Sequence, residues 1–357
     1  MKFILWPIAT LYGFIVWIRN RFFDLGIFTS KEFPIPIISV GNITVGGTGK
    51  TPHVEYLIQT LGSKYKLCVV SRGYKRHTKG ILEVQSTSTF WEVGDEPKQI
   101  KQKFPDVSVI VSESRAKAIQ KILLGELGNQ PDVIILDDAY QHRWVKAGFS
   151  ILLVDFYRPI YDDYYLPVGN LRESQDERRR ADMVIVTKTP ENVTPIDRRL
   201  ILKHLNLYPH QTLLYSYFRY GDLIPLEKNL RKLSVEFCLK HKFSAVLITG
   251  IANPVPLKEF IMKHFVEVEH LCFSDHYEYS TRDVRKIYDL YKRLNSSNKI
   301  IITTEKDAVR LISRMEEENL DMPIYYLPVE VQFLDEGAKE FQHKIESFIV
   351  KNRRKYS

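Results

Sequence analysis

The segment GNITVGGTGKTP, Gly41 to Pro52, carries the densest chemical signal in the chain. Glycines at 46, 47 and 49 permit the positive φ angles by which successive backbone N–H groups curl into an anion-binding nest. The stretch that follows, HVEYLIQTL, reads as a helix whose N-terminal dipole would face the same anion. Lys50 is placed to reach the β- and γ-phosphates of a nucleoside triphosphate, and the Thr51 hydroxyl to coordinate Mg²⁺. One position departs from the usual G-x-x-x-x-G-K-[ST] spacing: Thr44 stands where the first glycine is expected, which the backbone tolerates if Thr44 keeps a negative φ. The nucleotide-contacting run is therefore expected to comprise Thr44, Val45, Gly46, Gly47, Thr48, Gly49, Lys50 and Thr51.

A magnesium partner is expected at the carboxyl end of a neighbouring strand, and DVIILDDAYQH supplies one. Its apolar run leads into Asp137 and Asp138, adjacent carboxylates that repel each other unless a cation lies nearby. A helix cap followed by a turn is the plainer account of the same pair. GTP is disfavoured, because VTKTPE has Pro190 where a guanine-reading aspartate would stand. Phosphoryl transfer to a hydroxyl needs, besides cations, a base for the acceptor's proton. Candidates are Asp95 in WEVGDEP and His276 in FSDHYEY. Type alone does not separate them from structural roles: Asp95 precedes Glu96 and Pro97 as a helix N-cap would, and His276 follows a possible cap at Ser274.

These residues need strands to present them. Nearly continuous β-branched runs fall at Ile35–Val40, Leu67–Ser71, Val107–Val111, Asp132–Asp137, Phe149–Asp155 and Met183–Lys188, as strands buried on both faces require. Helical stretches such as SRAKAIQKILLGEL alternate with them, which predicts a doubly wound, mostly parallel α/β domain of the P-loop NTPase kind over 25–212. Leu213 to Leu226 alternates like a half-exposed hairpin, so residues 213–228 are read as a linker and 229–357 as a smaller C-terminal α/β domain.

With 44% hydrophobic residues the chain can bury two cores, and its three widely spaced cysteines form neither a disulfide framework nor a metal knuckle. The net charge of +8 favours an anionic partner, but no aromatic-interleaved RNA-binding pattern, zinc finger or basic zipper accompanies it. Nucleic acid is therefore not expected. From Phe3 to Ile18 the chain carries no charge, with Lys2 before it and Arg19 and Arg21 after it. As a helix this run reaches about 24 Å, short of the roughly 30 Å hydrocarbon core. Its tryptophans, tyrosine and flanking arginines suit a membrane-associated helix over 1–24, embedded in or lying on a cytoplasmic membrane face.

Taken in order, PIPIISVGNITVGGTGKTP, SRGYKR, VGDEP, DVIILDDAYQHR, LPVGNLRES, VIVTK, FSDHYEYS and TTEKDAVRL resemble the motifs of the tetraacyldisaccharide 4′-kinases, the lipid A precursor kinases of Gram-negative inner membranes. The resemblance runs from about Pro34 to Leu311. It implies transfer of the γ-phosphoryl group of ATP to the 4′-hydroxyl of an acylated glucosamine disaccharide 1-phosphate, with Mg²⁺, on the cytoplasmic face of the bacterial inner membrane. It implies a catalytic pair Asp95 and His276, catalytic roles for Lys50 and Asp138, and a metal held by Thr51, Asp137 and Asp138. Weaker assignments follow for substrate contacts at Arg72, Tyr74, Gln141, His142 and Arg172. No obligate protein partner is implied. That family's phosphate loop is relaxed at its first position, so Thr44 fits it. Ala139 departs from the glycine expected in DDGFQH and puts the local backbone in question. The competing reading is a membrane-associated P-loop ATPase or switch acting on a protein partner.

Overall fold

The computed structural model describes residues 2–227, 229–318 and 322–356. Met1 of the expected anchor, Lys228 of the expected linker, and residues 319–321 and Ser357 of the expected C-terminal domain lie outside the described residues. The elements run in the order α1 (Lys2–Asp24), β1 (Ile37–Gly41), α2 (Lys50–Leu61), β2 (Leu67–Ser71), β3 (Leu82–Glu83), α3 (Phe90–Val93), α4 (Asp95–Lys103), β4 (Ser108–Val111), α5 (Arg115–Leu123), β5 (Val133–Asp137), β6 (Phe149–Asp155), β7 (Met183–Thr187), α6 (Pro195–Leu205) and β8 (Thr212–Tyr220). Then come β9 (Ile224–Pro225), α7 (Val235–Lys240), β10 (Ser244–Thr249), α8 (Val255–His264), β11 (Glu267–Cys272), α9 (Thr281–Arg293), β12 (Lys299–Thr304), α10 (Glu305–Glu318), β13 (Ile324–Leu327), β14 (Val329–Phe333) and α11 (Gly337–Tyr356).

The chain forms two compact units, Met1–Phe218 with Val331–Ser357, and Arg219–Glu330. The first holds a nine-stranded sheet in the order β14-β8-β7-β6-β1-β5-β2-β4-β3. From β8 to β4 successive neighbours are parallel, and β3 runs antiparallel at the edge. Alternation along β1 shows the double winding. Ile38 and Val40 pack on one face with Val54, Leu57 and Ile58 of α2, whereas Ile37 packs on the other with Ala118, Ile119 and Ile122 of α5. The second unit is a five-stranded sheet, β11-β10-β12-β13-β9, parallel except for β9.

The six expected strands form, with ends shifted by a residue or two. The boundaries differ from the expectation. The first half of the segment read as a linker belongs to β8, a strand parallel to β7 whose alternating burial reflects a place near the sheet's edge. The C-terminal segment does not belong to the second unit either. Phe341, Ile345 and Ile349, spaced at helical intervals on α11, are buried in the same core as α2 and complete the first unit's cover.

Helix α1 packs one stripe on the first unit. Ala9, Gly13, Val16, Asn20 and Phe23 are buried, at the 4-3-4-3 spacing of one helix face. Gly13 is needed there, since a Cβ would come within 2.7 Å of the Tyr165 ring. The polar end is tied down by ion pairs: Arg19 to the fully buried Glu173 at 2.9 Å, and Asp24 to Arg143 and Arg179. The opposite stripe is apolar and bare, with Trp6, Ile8, Leu11, Phe14, Ile15 and Trp17 between 41% and 59% exposed. Among the described residues no helix is long and apolar enough to cross a membrane.

Candidate nucleotide site

Strands β1, β5, β2, β6 and β7 bring their carboxyl ends together, and the candidate residues sit on the turns that leave them. The loop between β1 and α2 has φ of +93° at Gly46 and +88° at Gly49, the conformation for which glycine was needed. Thr44 is buried and is not among the residues with positive φ, so its replacement of glycine introduces no strain. Val45 donates its N–H to Asn170 O at 2.8 Å. Thr48 is buried, its hydroxyl bonded to Asn42 Nδ2 at 2.8 Å and its carbonyl to the Thr187 hydroxyl at 2.9 Å. Lys188 donates to Gly47 O at 2.5 Å and to Asp155 at 2.6 Å. The loop is thus held from behind by β7 and Lys188, with the Val45 N–H spent on Asn170 O and the Thr48 N–H on Gly46 O at 3.1 Å.

Lys50 and Thr51 open α2. Lys50 Nζ lies 3.6 Å from Asp138 Oδ1, and Arg172 Nη1 lies 3.5 Å from Asp138 Oδ2. Behind Asp138 sits Asp137, which is buried and accepts a hydrogen bond from the Ser71 hydroxyl at 3.0 Å. Its other oxygen, Oδ1, is buried without a hydrogen-bond partner. Burial, with the negative charges of Glu96 and Asp138, pushes the Asp137 carboxyl up to about 7; the Ser71 bond and Lys50 act against that shift. The left-handed residue of this turn is Asp138, at φ +44°, and not Ala139. Ala139 is packed in the core beneath, so that position needs no glycine.

Two further turns converge here. A Cβ on Gly94 would lie 3.1 Å from Gly73 Cα and from Tyr74 O, and one on Gly73 would lie 2.7 Å from Val93 O. These two glycines let the SRGY and VGD turns pack backbone to backbone, which places Arg72, Tyr74 and Asp95 in one neighbourhood. Asp95 is the first residue of α4, with Gly94 in the cap position and no side-chain cap bond, so the N-cap role weighed for it does not hold. Tyr74 is exposed. Gln141 Nε2 donates to Asn42 O at 2.6 Å, supporting the strand that enters the phosphate loop. His142 is held neutral: burial, and then the charges of Arg115, Arg72 and Arg19, lower its imidazole to about 4. The structure places sixteen of the sequence-predicted residues in the first unit. His276 belongs to the second unit, in the turn after β11 at φ +57°, where its Nε2 lies 3.0 Å from Lys306 Nζ.

Several supporting residues carried little sequence signal. Ser71 and Lys188 lie within quoted motifs, but their types gave no reason to assign a partner. Arg115 is 4% exposed and its Nη2 reaches Asp138 O at 3.3 Å, although in sequence it resembles an ordinary surface arginine at a helix start. Only the fold brings it to the carboxylates.

A glycine nest, a helix-starting lysine and a neighbouring pair of strand-end aspartates place the first unit among the phosphate-loop nucleotide-dependent enzymes. A family model described as tetraacyldisaccharide-1-P 4′-kinase matches residues 1–349. The chain belongs to that family. It is 44% identical to the tetraacyldisaccharide 4′-kinase of Phocaeicola vulgatus over 98% of this chain and 96% of that protein. It is 45% identical to the protein of the same description from Bacteroides fragilis, over 98% and 94%. Among solved structures it is similar to the "apo" form of LpxK from Aquifex aeolicus in complex with ATP, with a TM-score of 0.74 and 29% identity, over 98% of this chain and 99% of that one.

Proposed function

We propose that this chain transfers the γ-phosphoryl group of ATP to the 4′-hydroxyl of a tetraacyldisaccharide 1-phosphate, the step that gives lipid IVA in lipid A biosynthesis. The observation that carries the reading is the phosphate loop with Lys50 set 3.6 Å from a strand-end carboxylate pair, in a chain of this family. The N–H groups of Gly46, Gly47, Gly49 and Lys50 would hold the phosphates, and Lys50 would neutralise charge on the transferring group. The residues fit a divalent cation: Asp137 Oδ1 and Asp138 Oδ1 are buried without hydrogen-bond partners, and the Thr51 hydroxyl opens the adjacent helix. Mg²⁺ there would supply Lewis-acid stabilisation of the phosphoryl oxygens.

Asp95 is assigned to receive the acceptor hydroxyl's proton, and His276 to assist the same step. The family motif supports this pair. Arg172 and Arg72, with Tyr74 and His142, are assigned to substrate or nucleotide phosphate. Gln141, whose amide is engaged with Asn42, is assigned to holding the loop in place.

The bare stripe of α1 supports placement at a membrane surface. Drawing acyl chains out of a bilayer costs about 0.8 kcal/mol per CH₂, so an enzyme acting on such a lipid gains by working at the bilayer. With one face fixed to the first unit and the other apolar, α1 is suited to lie in the interface of the cytoplasmic leaflet, and its exposed Arg21 to meet anionic headgroups. ADP release measured with and without the lipid acceptor tests the function. Release that depends on the acceptor is expected; hydrolysis indifferent to it would favour a membrane-bound ATPase or switch.

A further inference from the structure

The exit of the phosphate loop is contacted by the first residue of the helical stretch HVEYLIQTL. His53 lies one turn into α2 and is 3% exposed. Its Nδ1 lies 2.7 Å from Gly49 O, and its Nε2 lies 3.0 Å from the Ser216 hydroxyl of β8. A carbonyl can only accept, so Nδ1 must carry the proton. Nε2 is then bare, and Ser216 must donate to it. One tautomer satisfies both contacts. Burial lowers this imidazole to about 4, which keeps it neutral.

Gly49 is the residue whose conformation, φ +88° and ψ +27°, turns the loop into α2. Its peptide is planar and trans, so the Gly49 C=O and the Lys50 N–H point in opposite directions. That carbonyl accepts from the His53 backbone N–H at 3.2 Å as well as from Nδ1, and the second, shorter bond fixes its direction back toward α2, which aims the Lys50 N–H forward. As the first helical residue, Lys50 has no intrahelical acceptor for that N–H. Strand β8 backs the arrangement on the same face two residues on: a Cβ at Gly49 would lie 2.5 Å from the Phe218 ring, whose centroid is 6.0 Å from that of His53.

We propose that His53 is a positioning residue that, fixed in one tautomer by Ser216, orients the Gly49–Lys50 peptide so that the Lys50 N–H points at the phosphates of the bound nucleotide. The inference concerns nucleotide affinity and requires nothing of the acceptor, so its failure is separable from failure of the kinase reading.

The test is the affinity for ADP by titration calorimetry, beside melting temperature and ¹H–¹⁵N correlation of the histidine side chains. In the unsubstituted protein His53 is expected protonated at Nδ1 alone; protonation at Nε2 alone would overturn the proposal. Asn places an amide N–H where Nδ1 stands, whereas Gln places its polar group nearer Nε2. His53→Asn should keep ADP affinity within about threefold, while His53→Gln and His53→Leu should each weaken it about tenfold. Ser216→Ala should weaken it about threefold. Equal losses in Asn, Gln and Leu variants would mean that His53 only packs, and an unchanged affinity in His53→Leu would also overturn the proposal. If the Leu and Gln variants do not fold, the tautomer and the Asn and Ser216→Ala affinities decide.

Discussion

Each unit of this protein buries an aspartate at the carboxyl edge of its sheet, and the two are treated in opposite ways. Asp307, in the second unit, is fully buried and surrounded by donors: the Gly250 N–H at 2.8 Å, the Thr304 hydroxyl at 2.7 Å and Arg310 at 3.4 Å. Asp137, in the first, has one donor, a like charge beside it and an oxygen without a hydrogen-bond partner. A buried carboxylate that folding satisfies holds the fold together, whereas one that folding leaves unsatisfied is kept for something that binds later. By that measure Asp307 is structural, and Asp137 fits the cation-holding role proposed for it.

The largest expected effect concerns proton transfer. Asp95→Ala and His276→Ala should each lower turnover by roughly 10²–10⁴-fold with ATP affinity little changed. Near-normal turnover in both variants would remove the pair. Next come the two aspartates themselves. Asp137→Asn should cost roughly a hundredfold or more in turnover without loss of melting temperature, while Asp307→Asn should destabilise by about 3 kcal/mol, because its donors lose a charged acceptor. Equal destabilisation by the two changes would break the comparison.

The pH dependence separates them further. The Asp137 carboxyl rises from 3.8 to about 7 on folding, so between those values the folded state holds a proton that the unfolded state has lost. Without Mg²⁺, stability should therefore fall as pH rises from about 4 to 7, by on the order of a few kcal/mol, and level off above that. Asp137→Asn should lack this slope, and a wild-type slope that persists in the variant would assign it elsewhere.

How much of this was legible depended on whether the information was local. The phosphate loop, the Asp137–Asp138 turn and the six core strands declare themselves through residue type and period, and the structure contains all of them. What escaped was tertiary. Strand β8 alternates because of its place near the sheet's edge, and α11 closes the first unit because Phe341, Ile345 and Ile349 meet α2. Neither fact follows from the segments alone, which is why the domain boundary was misplaced. Arg115 and His53 act through contacts 23 and 163 residues away in sequence. The reverse also holds: an N-cap at Asp95 was locally plausible, and Gly94 takes that position instead.

The smallest expected effect is at the membrane. Because α1 is anchored along one stripe, deleting it would expose the first unit's own surface, and substitution of the bare stripe is the cleaner probe. Ile8→Ser, Leu11→Ser and Ile15→Ser together should weaken binding to anionic phospholipid vesicles severalfold with the melting temperature held. Unchanged binding would remove the helix from the account.

The central claim is that the unsatisfied carboxylate edge serves phosphoryl transfer to a lipid hydroxyl. Its most direct test follows γ-labelled ATP with tetraacyldisaccharide 1-phosphate and Mg²⁺. The account predicts label on the 4′-oxygen of the lipid, slowed roughly a hundredfold or more in Asp137→Asn and Asp95→Ala. Label released only as inorganic phosphate, at a rate indifferent to the lipid, would contradict it.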